Sequence, residues 1–116
     1  MKRKTGKPIN DAFGSKVRKS FDTDVLDRLR GQDCVFLFSI LDGYFKRDRT
    51  FVPAKDATTE RWHCCTTAGE FELLVTGTKF FDPRSGAGGG GAIDLVMKLY
   101  QVPFVNAVHL LVERGL

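Results

Sequence analysis

Two histidines and three cysteines are all the imidazole and thiol this 116-residue chain carries. Cys64 and Cys65 are adjacent, so on a strand they point to opposite faces and do not chelate one ion as a Cys-x-x-Cys pair does. A mixed site from His63, one of these cysteines and Asp82 is the metal alternative; free thiols, buried or half-exposed, are the reading preferred. Three cysteines without a signal peptide weigh against a disulfide framework, and a reducing, cytoplasmic setting is expected. No apolar run approaches the roughly 20 residues needed to cross a bilayer, so no membrane partner is expected. No Gly-Lys-Ser/Thr ending is present to make a phosphate-binding P-loop, and no Gly-x-Gly-x-x-Gly sits in a parallel strand-turn-helix unit, which argues against nucleotide hydrolysis. Asp22-Thr23-Asp24 is the one close acidic pair of the kind that holds a metal for phosphoryl transfer, and a helix cap explains it. The histidines have no evident carboxylate partner in sequence. The expectation is a protein that is not an enzyme and carries no cofactor.

What the chain has in excess is glycine in one place. Phe80-Phe81-Asp82-Pro83-Arg84-Ser85 leads into Gly86-Ala87-Gly88-Gly89-Gly90-Gly91, and Ala92-Ile93-Asp94-Leu95-Val96-Met97 follows at once. Five glycines in six residues let the backbone approach another backbone or a phosphate closely. The run stands before a helix N-terminus, where free amides and the positive end of the dipole favour an anion. Gly88 and Gly89 are therefore candidate phosphate contacts; the competing reading is that the glycines only let strand and helix pack closely.

This stretch, together with Phe104-Val105-Asn106-Ala107-Val108, resembles the Cys-His-Cys-Cys zinc ribbon that opens bacterial DNA primases and its relatives in plasmid and phage primase-like proteins. In that family an aromatic residue precedes a Cys-x-x-Cys pair, followed by Gly-x-Gly-Gly, an Ile-Asp helix and a Phe-x-x-Ala-Val helix. The resemblance covers roughly the last third of the chain. It departs at the metal, because Asp82 and Ser85 stand where the family has its second cysteine pair, and a structural zinc needs about four thiolate or imidazole ligands. No zinc is expected. The resemblance implies a module that engages single-stranded template, from a replication or transfer system of a mobile element such as a plasmid.

Charge is unevenly spread. Residues 1–20 carry Lys2, Arg3, Lys4, Lys7, Lys16, Arg18 and Lys19 against Asp11 alone, whereas the rest of the chain has eleven bases and thirteen acids. With Gly6, Pro8 and Gly14 and little apolar periodicity, this segment reads as a basic flexible arm. It either attracts phosphates by counterion release or serves as a solubilising tail.

Residues 21–116 read as a single α+β domain of ordinary size. Asp22 or Thr23 caps a short helix through about Arg30 in which Val25, Leu26 and Leu29 share a face, and Gly31 ends it. The apolar run from Cys34 to Leu41 fits a buried strand by periodicity alone; the resemblance favours a helix capped by Gln32 or Asp33 and reaching about Phe45, with a basic, aromatic turn over Gly43–Arg49. Val52–Glu60 reads as loop. Arg61–Thr67, Glu70–Thr76 and Thr78–Phe81 then form a three-stranded antiparallel meander, zinc-ribbon-like without zinc. Ile93, Val96, Met97 and Tyr100 set out one helix face, Pro103 opens the next helix, and Phe104, Ala107, Val108 and Leu111 repeat the spacing, giving a C-terminal helical hairpin.

Tyr44, Lys46, Arg47 and Arg49 interleave aromatic and basic side chains, which reads either as a single-strand binding surface or, the preferred reading from these residues alone, as a solvated helix end with Tyr44 packed on the core. Arg61, Lys79 and Arg84 lie near strand ends and extend that face. Trp62 either stacks a base or, the preferred reading, closes the sheet over a helix. The expected partner is single-stranded DNA or another nucleic acid, along with a replication or conjugation protein. The rival expectation is a small accessory or inhibitory factor that uses the same fold to bind such a protein.

Overall fold

The structure is a computed structural model that describes residues 22–116. The basic arm expected over residues 1–20 lies outside the described residues. Asp22 caps helix α1 (Thr23–Arg30), its carboxylate accepting the Asp24 N–H at 3.0 Å. Leu29 is fully buried and Val25 and Leu26 pack beside it, as the spacing predicts. Gly31 closes the helix, donating its N–H to the Asp27 and Arg28 carbonyls.

Helix α2 runs Cys34–Ile40, shorter than expected, and Tyr44–Arg47 forms strand β1 rather than a turn. The apolar stripe stops at Leu41, and Asp42-Gly43 offers nothing to continue a helix. Beyond them the side chains obey a two-residue period. Phe45 turns inward to stack on Phe38 of α2, with ring centroids 5.0 Å apart, while Tyr44 and Lys46 stay exposed.

Strands β2 (Glu60–Thr66), β3 (Gly69–Thr76) and β4 (Lys79–Asp82) are the expected meander. Two more strands extend it, β1 at one edge and β5 (Ala87–Gly90) at the other, giving five antiparallel strands in the order β1-β2-β3-β4-β5. The glycine run is thus partly an edge strand rather than a loop, with Gly88 opposite Phe81 and Gly89 opposite Phe80. Glycine is depleted in strands, so composition conceals this one. Its reason lies in close approach: a Cβ on Gly89 would sit 2.8 Å from the Phe80 ring, and one on Gly91 would sit 2.9 Å from Arg30 Cα. Gly91 also holds φ +86, a conformation L side chains rarely adopt.

Helix α3 (Gly91–Tyr100) buries Ala92, Ile93, Leu95, Val96 and Leu99, a wider stripe than the four positions expected. Helix α4 (Phe104–Glu113) buries Ala107, Val108 and Leu111. The chain turns by 106° between the two, so they form a corner rather than an antiparallel hairpin. Gln101, polar and in the left-handed conformation, ends α3 at that corner and interrupts the apolar stripe. No single helix among the described residues is long and apolar enough to cross a membrane.

The core lies between the helices and one face of the sheet. Cys64, Leu73, Val75 and Phe80 come from that face, and Leu29, Leu37, Leu95, Leu99 and Leu111 from the helices. The two layers give the α+β class that the sequence implies.

Candidate nucleic-acid interface

Because successive residues of a strand point to opposite faces, the buried positions fix which side chains face away from the helices. Phe45, Trp62, Cys64, Phe71, Leu73, Val75, Phe80 and Asp82 share the helix side. The register then places Tyr44 and Lys46 of β1, Arg61 and His63 of β2, Glu72 and Leu74 of β3, and Lys79 and Phe81 of β4 together on the other side. Arg84, in the β4–β5 turn, joins Arg61, Glu72 and Leu74 around one shallow depression. Gly88 alternates onto the same face as Phe81.

Three members of the expected set lie elsewhere than on this face, and for Trp62 that is the preferred of its two readings. Arg47 alternates to the helix side, where its guanidinium lies 3.6 Å from the Glu60 carboxylate. Trp62 packs against Phe38 with ring centroids 4.9 Å apart and donates its indole N–H to Glu60 at 2.9 Å, which is the role of closing the sheet. Gly89 pairs with Phe80 inside the ladder. Arg49 sits in the β1–β2 loop beside Lys46 and His63, and the residues of the basic arm lie outside the described residues.

The open face is charged but not uniformly basic. Glu72 is its centre: one oxygen accepts from Arg61 Nε at 3.3 Å and the other contacts His63 Nδ1. His63 Nε2 stands 3.8 Å from Glu70. The histidine that has no carboxylate neighbour in sequence therefore has two in space, because residues 70 and 72 of β3 lie on the same face directly across the ladder. Lys46, Arg49, Lys55, Lys79 and Arg84 have no ion pair among the described residues; Lys46, Arg49 and Arg84 line depressions that Glu72 also lines, and Lys55 and Lys79 lie farther along the sheet.

The β1–β2 loop is ordered by two aspartates. Asp48 accepts from the Thr50 N–H at 2.9 Å and hydroxyl at 2.6 Å, and Asp56 accepts from Thr58 at 2.9 and 2.7 Å. These hydrogen bonds hold both carboxyls below the ordinary carboxylate range. The loop so held carries Phe51 and Val52 against Leu74, Thr76, Lys79 and Phe81, and the result is an apolar groove of about 580 Å³ on the open face. Read from sequence, this segment is only a loop, and nothing in it singles out Phe51 and Val52. The available signal is alternation in β4: with Phe80 buried, Phe81 must face outward, and it is 43% exposed.

Asp82 and Ser85 both meet Lys98, the first in an internal ion pair and the second in a hydrogen bond. Asp82 is 5% exposed; its Oδ2 lies 2.7 Å from Lys98 Nζ and its Oδ1 accepts the Arg84 and Ser85 N–H groups at 2.9 and 3.4 Å. Lys98 also donates to Ser85 Oγ at 3.4 Å. An ammonium fills the corner that a metal would need, and these donors do not fit a zinc ion. The mixed site of His63, a cysteine and Asp82 is not assembled either, since His63 and Cys65 face the open side while Cys64 and Asp82 face the helices. Among the described residues no three His, Cys, Asp or Glu side chains gather as metal ligands.

The glycine run commits most of its amides internally. Gly86 N–H donates to Asp82 O at 2.8 Å, Ala87 N–H to Ser85 Oγ at 3.2 Å and Gly91 N–H to Thr78 O at 2.8 Å. Gly90 N–H donates to the Asp94 carboxylate at 3.2 Å, so the first turn of α3 supplies its own anion. No family model, curated protein or solved structure matches this chain.

Proposed function

We propose that this chain is a single-stranded nucleic-acid-binding module that lays the strand across the open face of its sheet, with DNA the preferred polymer. The observation that carries the reading is one sheet face that no described helix covers, combining exposed Tyr44 and Phe81 with Lys46, Lys79 and Arg84, none of which is spent on an internal ion pair among the described residues. Aromatic faces stack bases and lysine or arginine tracks phosphates, which is the chemistry single strands require. Nothing in this role needs a catalytic group, a cofactor or a metal. The resemblance of the glycine-rich segment to primase ribbons points the same way and suggests a replication or transfer system of a mobile element. The basic arm, residues 1–20, adds sequence-independent attraction.

The test is a binding titration of the full chain with a labelled single-stranded DNA oligonucleotide over a range of salt, beside RNA of the same sequence and duplex DNA. Affinity for single strands should fall steeply with salt, by about 0.7 in the logarithmic slope for each phosphate contacted. Deleting residues 1–20 should reduce that slope without abolishing the preference for single strands. Absence of binding at low ionic strength overturns the reading.

A second reading has its own observation. Helix α2 exposes Val35 and Phe36 at 43% and 45%, adjacent apolar side chains on the helical layer, away from the open sheet face. They suit the alternative of a small accessory or inhibitory factor that binds a replication or conjugation protein through an apolar contact.

A further inference from the structure

We infer that the groove between the β1–β2 loop and strands β3 and β4 seats one unstacked nucleobase of the bound strand; this rests on the open-face reading above. The groove has aromatic and aliphatic walls, Phe51 and Val52 from the loop and Leu74 and Phe81 from the sheet; Lys55 and Lys79 also line it, as does Asp56, whose carboxylate is engaged by Thr58. Val52 is 81% exposed and Phe81 43%, so apolar surface is held open to solvent rather than collapsed into the core. A flat heteroaromatic ring gains most from such a slot, because it stacks on Phe81 or Phe51 while its own phosphates remain outside with the lysines.

The polar side of the groove distinguishes a base from an aliphatic side chain. Thr59 and Thr76 are both part of the lining, and their hydroxyls are hydrogen-bonded to each other at 2.7 Å where the β2–β3 pairing begins. In a hydroxyl pair one oxygen donates and the other accepts, so the accepting hydroxyl keeps its own proton for a ligand and both keep acceptor capacity. The pair therefore presents donor and acceptor together, matching the mixed edge of a base. A base must leave its stack and its partner to enter, which makes the groove a selector of single strands over duplex.

The experiment compares two oligonucleotides of equal length and charge, one with bases and one carrying abasic sites throughout its central segment, on the full chain and on Phe81→Ala and Val52→Ser. The expected result is an advantage of about tenfold for the base-bearing strand on the unaltered chain, lost in both variants while the salt slope is retained. Val52 lies on the exposed loop, so its variant tests the groove even if Phe81→Ala perturbs folding. Equal binding of both oligonucleotides with a steep salt slope would leave the open-face reading standing and overturn the groove assignment, giving the groove to another occupant such as an apolar side chain of a partner protein. Failure to bind either oligonucleotide overturns both.

Discussion

Half-buried Lys98 and buried Asp82 form an ion pair, 2.7 Å from ammonium to carboxylate, at the base of the β4–β5 turn. Lys98 also lies over the Phe71 ring, 5.6 Å from its centroid, so the cation ties β3, β4 and α3 together. Removing Lys98 leaves the buried Asp82 charge with only backbone donors. Lys98→Met should lower stability by about 1–3 kcal/mol in chemical denaturation, less than for a fully buried pair because the ammonium is partly solvated, and Asp82→Asn in the same chain should recover part of that loss.

The same pair sets the acid limb of the stability profile. Burial is the largest single influence on Asp82 and pushes its carboxyl up, but the Lys98 hydrogen bond, the Arg84 N–H, the Lys98 charge and Ser85 together outweigh it and leave the carboxyl below its ordinary value of 3.8. A carboxyl depressed in the folded state adds stability above the unfolded pKa and loses it as pH falls through the folded one. Stability should therefore decline below about pH 4, and denaturation midpoints of Asp82→Asn should decline less over the same interval.

Glycine at 89 and 91 is required by packing rather than by a ligand. Gly91→Ala must hold an alanine at φ +86 and push its methyl to within 2.9 Å of Arg30 Cα, so α1 has to move away from α3. Gly89→Ala drives a methyl against the Phe80 ring. Strain of this kind costs about 1–3 kcal/mol, and the melting temperature should fall further for Gly91→Ala, because its obstacle is backbone and not a side chain. A chain in which both alanines were neutral would have a different β5–α3 junction from the one described.

Much of the scaffold is legible in the sequence because its signals are local. Asp22 before Val25, Leu26 and Leu29 marks α1, the alternation in Glu70–Thr76 marks β3, and Pro103 marks the opening of α4. The two edge strands are not legible in this way. Tyr44–Arg47 follows an apolar run that ends at Leu41 and is too short to set out a period of its own; pairing with β2 and the stacking of Phe45 on Phe38 make it a strand. Ala87–Gly90 has no side-chain pattern at all; its strand exists because β4 offers it a ladder. The site divides in the same manner. Tyr44, Lys46, Arg61, Lys79 and Arg84 stand out by residue type and converge on one face. The pairing of Arg61 and His63 with Glu72, and the groove under Val52, depend on register and on a loop fold that no short window contains.

The two buried thiols limit stability on the alkaline side. Burial pushes Cys34 up to about 11, with Asp33 adding to the effect, and burial pushes Cys64 up to about 12, with Glu72 adding. A thiol raised in the folded state contributes stability that is whole below the unfolded value of 9.0 and is lost as pH rises toward the folded values. Stability should fall between about pH 9 and 12, and Cys34→Ala with Cys64→Ala should flatten that fall. At pH 8 a thiol reagent should modify half-exposed Cys65 in the native protein and reach the other two only on unfolding.

On the proposed reading, Glu72 limits how strongly the open face attracts a polyanion. Its carboxylate occupies Arg61 Nε and His63 at the middle of that face, while Lys46, Lys79 and Arg84 share the face with no internal ion pair among the described residues. A phosphate approaching Arg61 must displace this carboxylate and tolerate its charge. Glu72→Gln keeps the side-chain size, removes the negative charge and frees the guanidinium. Affinity for single-stranded DNA should rise about three- to tenfold at moderate salt, and the logarithmic salt slope should steepen by about 0.7, the value for one added phosphate contact. Arg61→Gln in the same chain should cancel the steepening. Were Glu72→Gln to bind no more tightly than the unaltered chain, the strand would have to run clear of Arg61, along Lys79 and Arg84 alone.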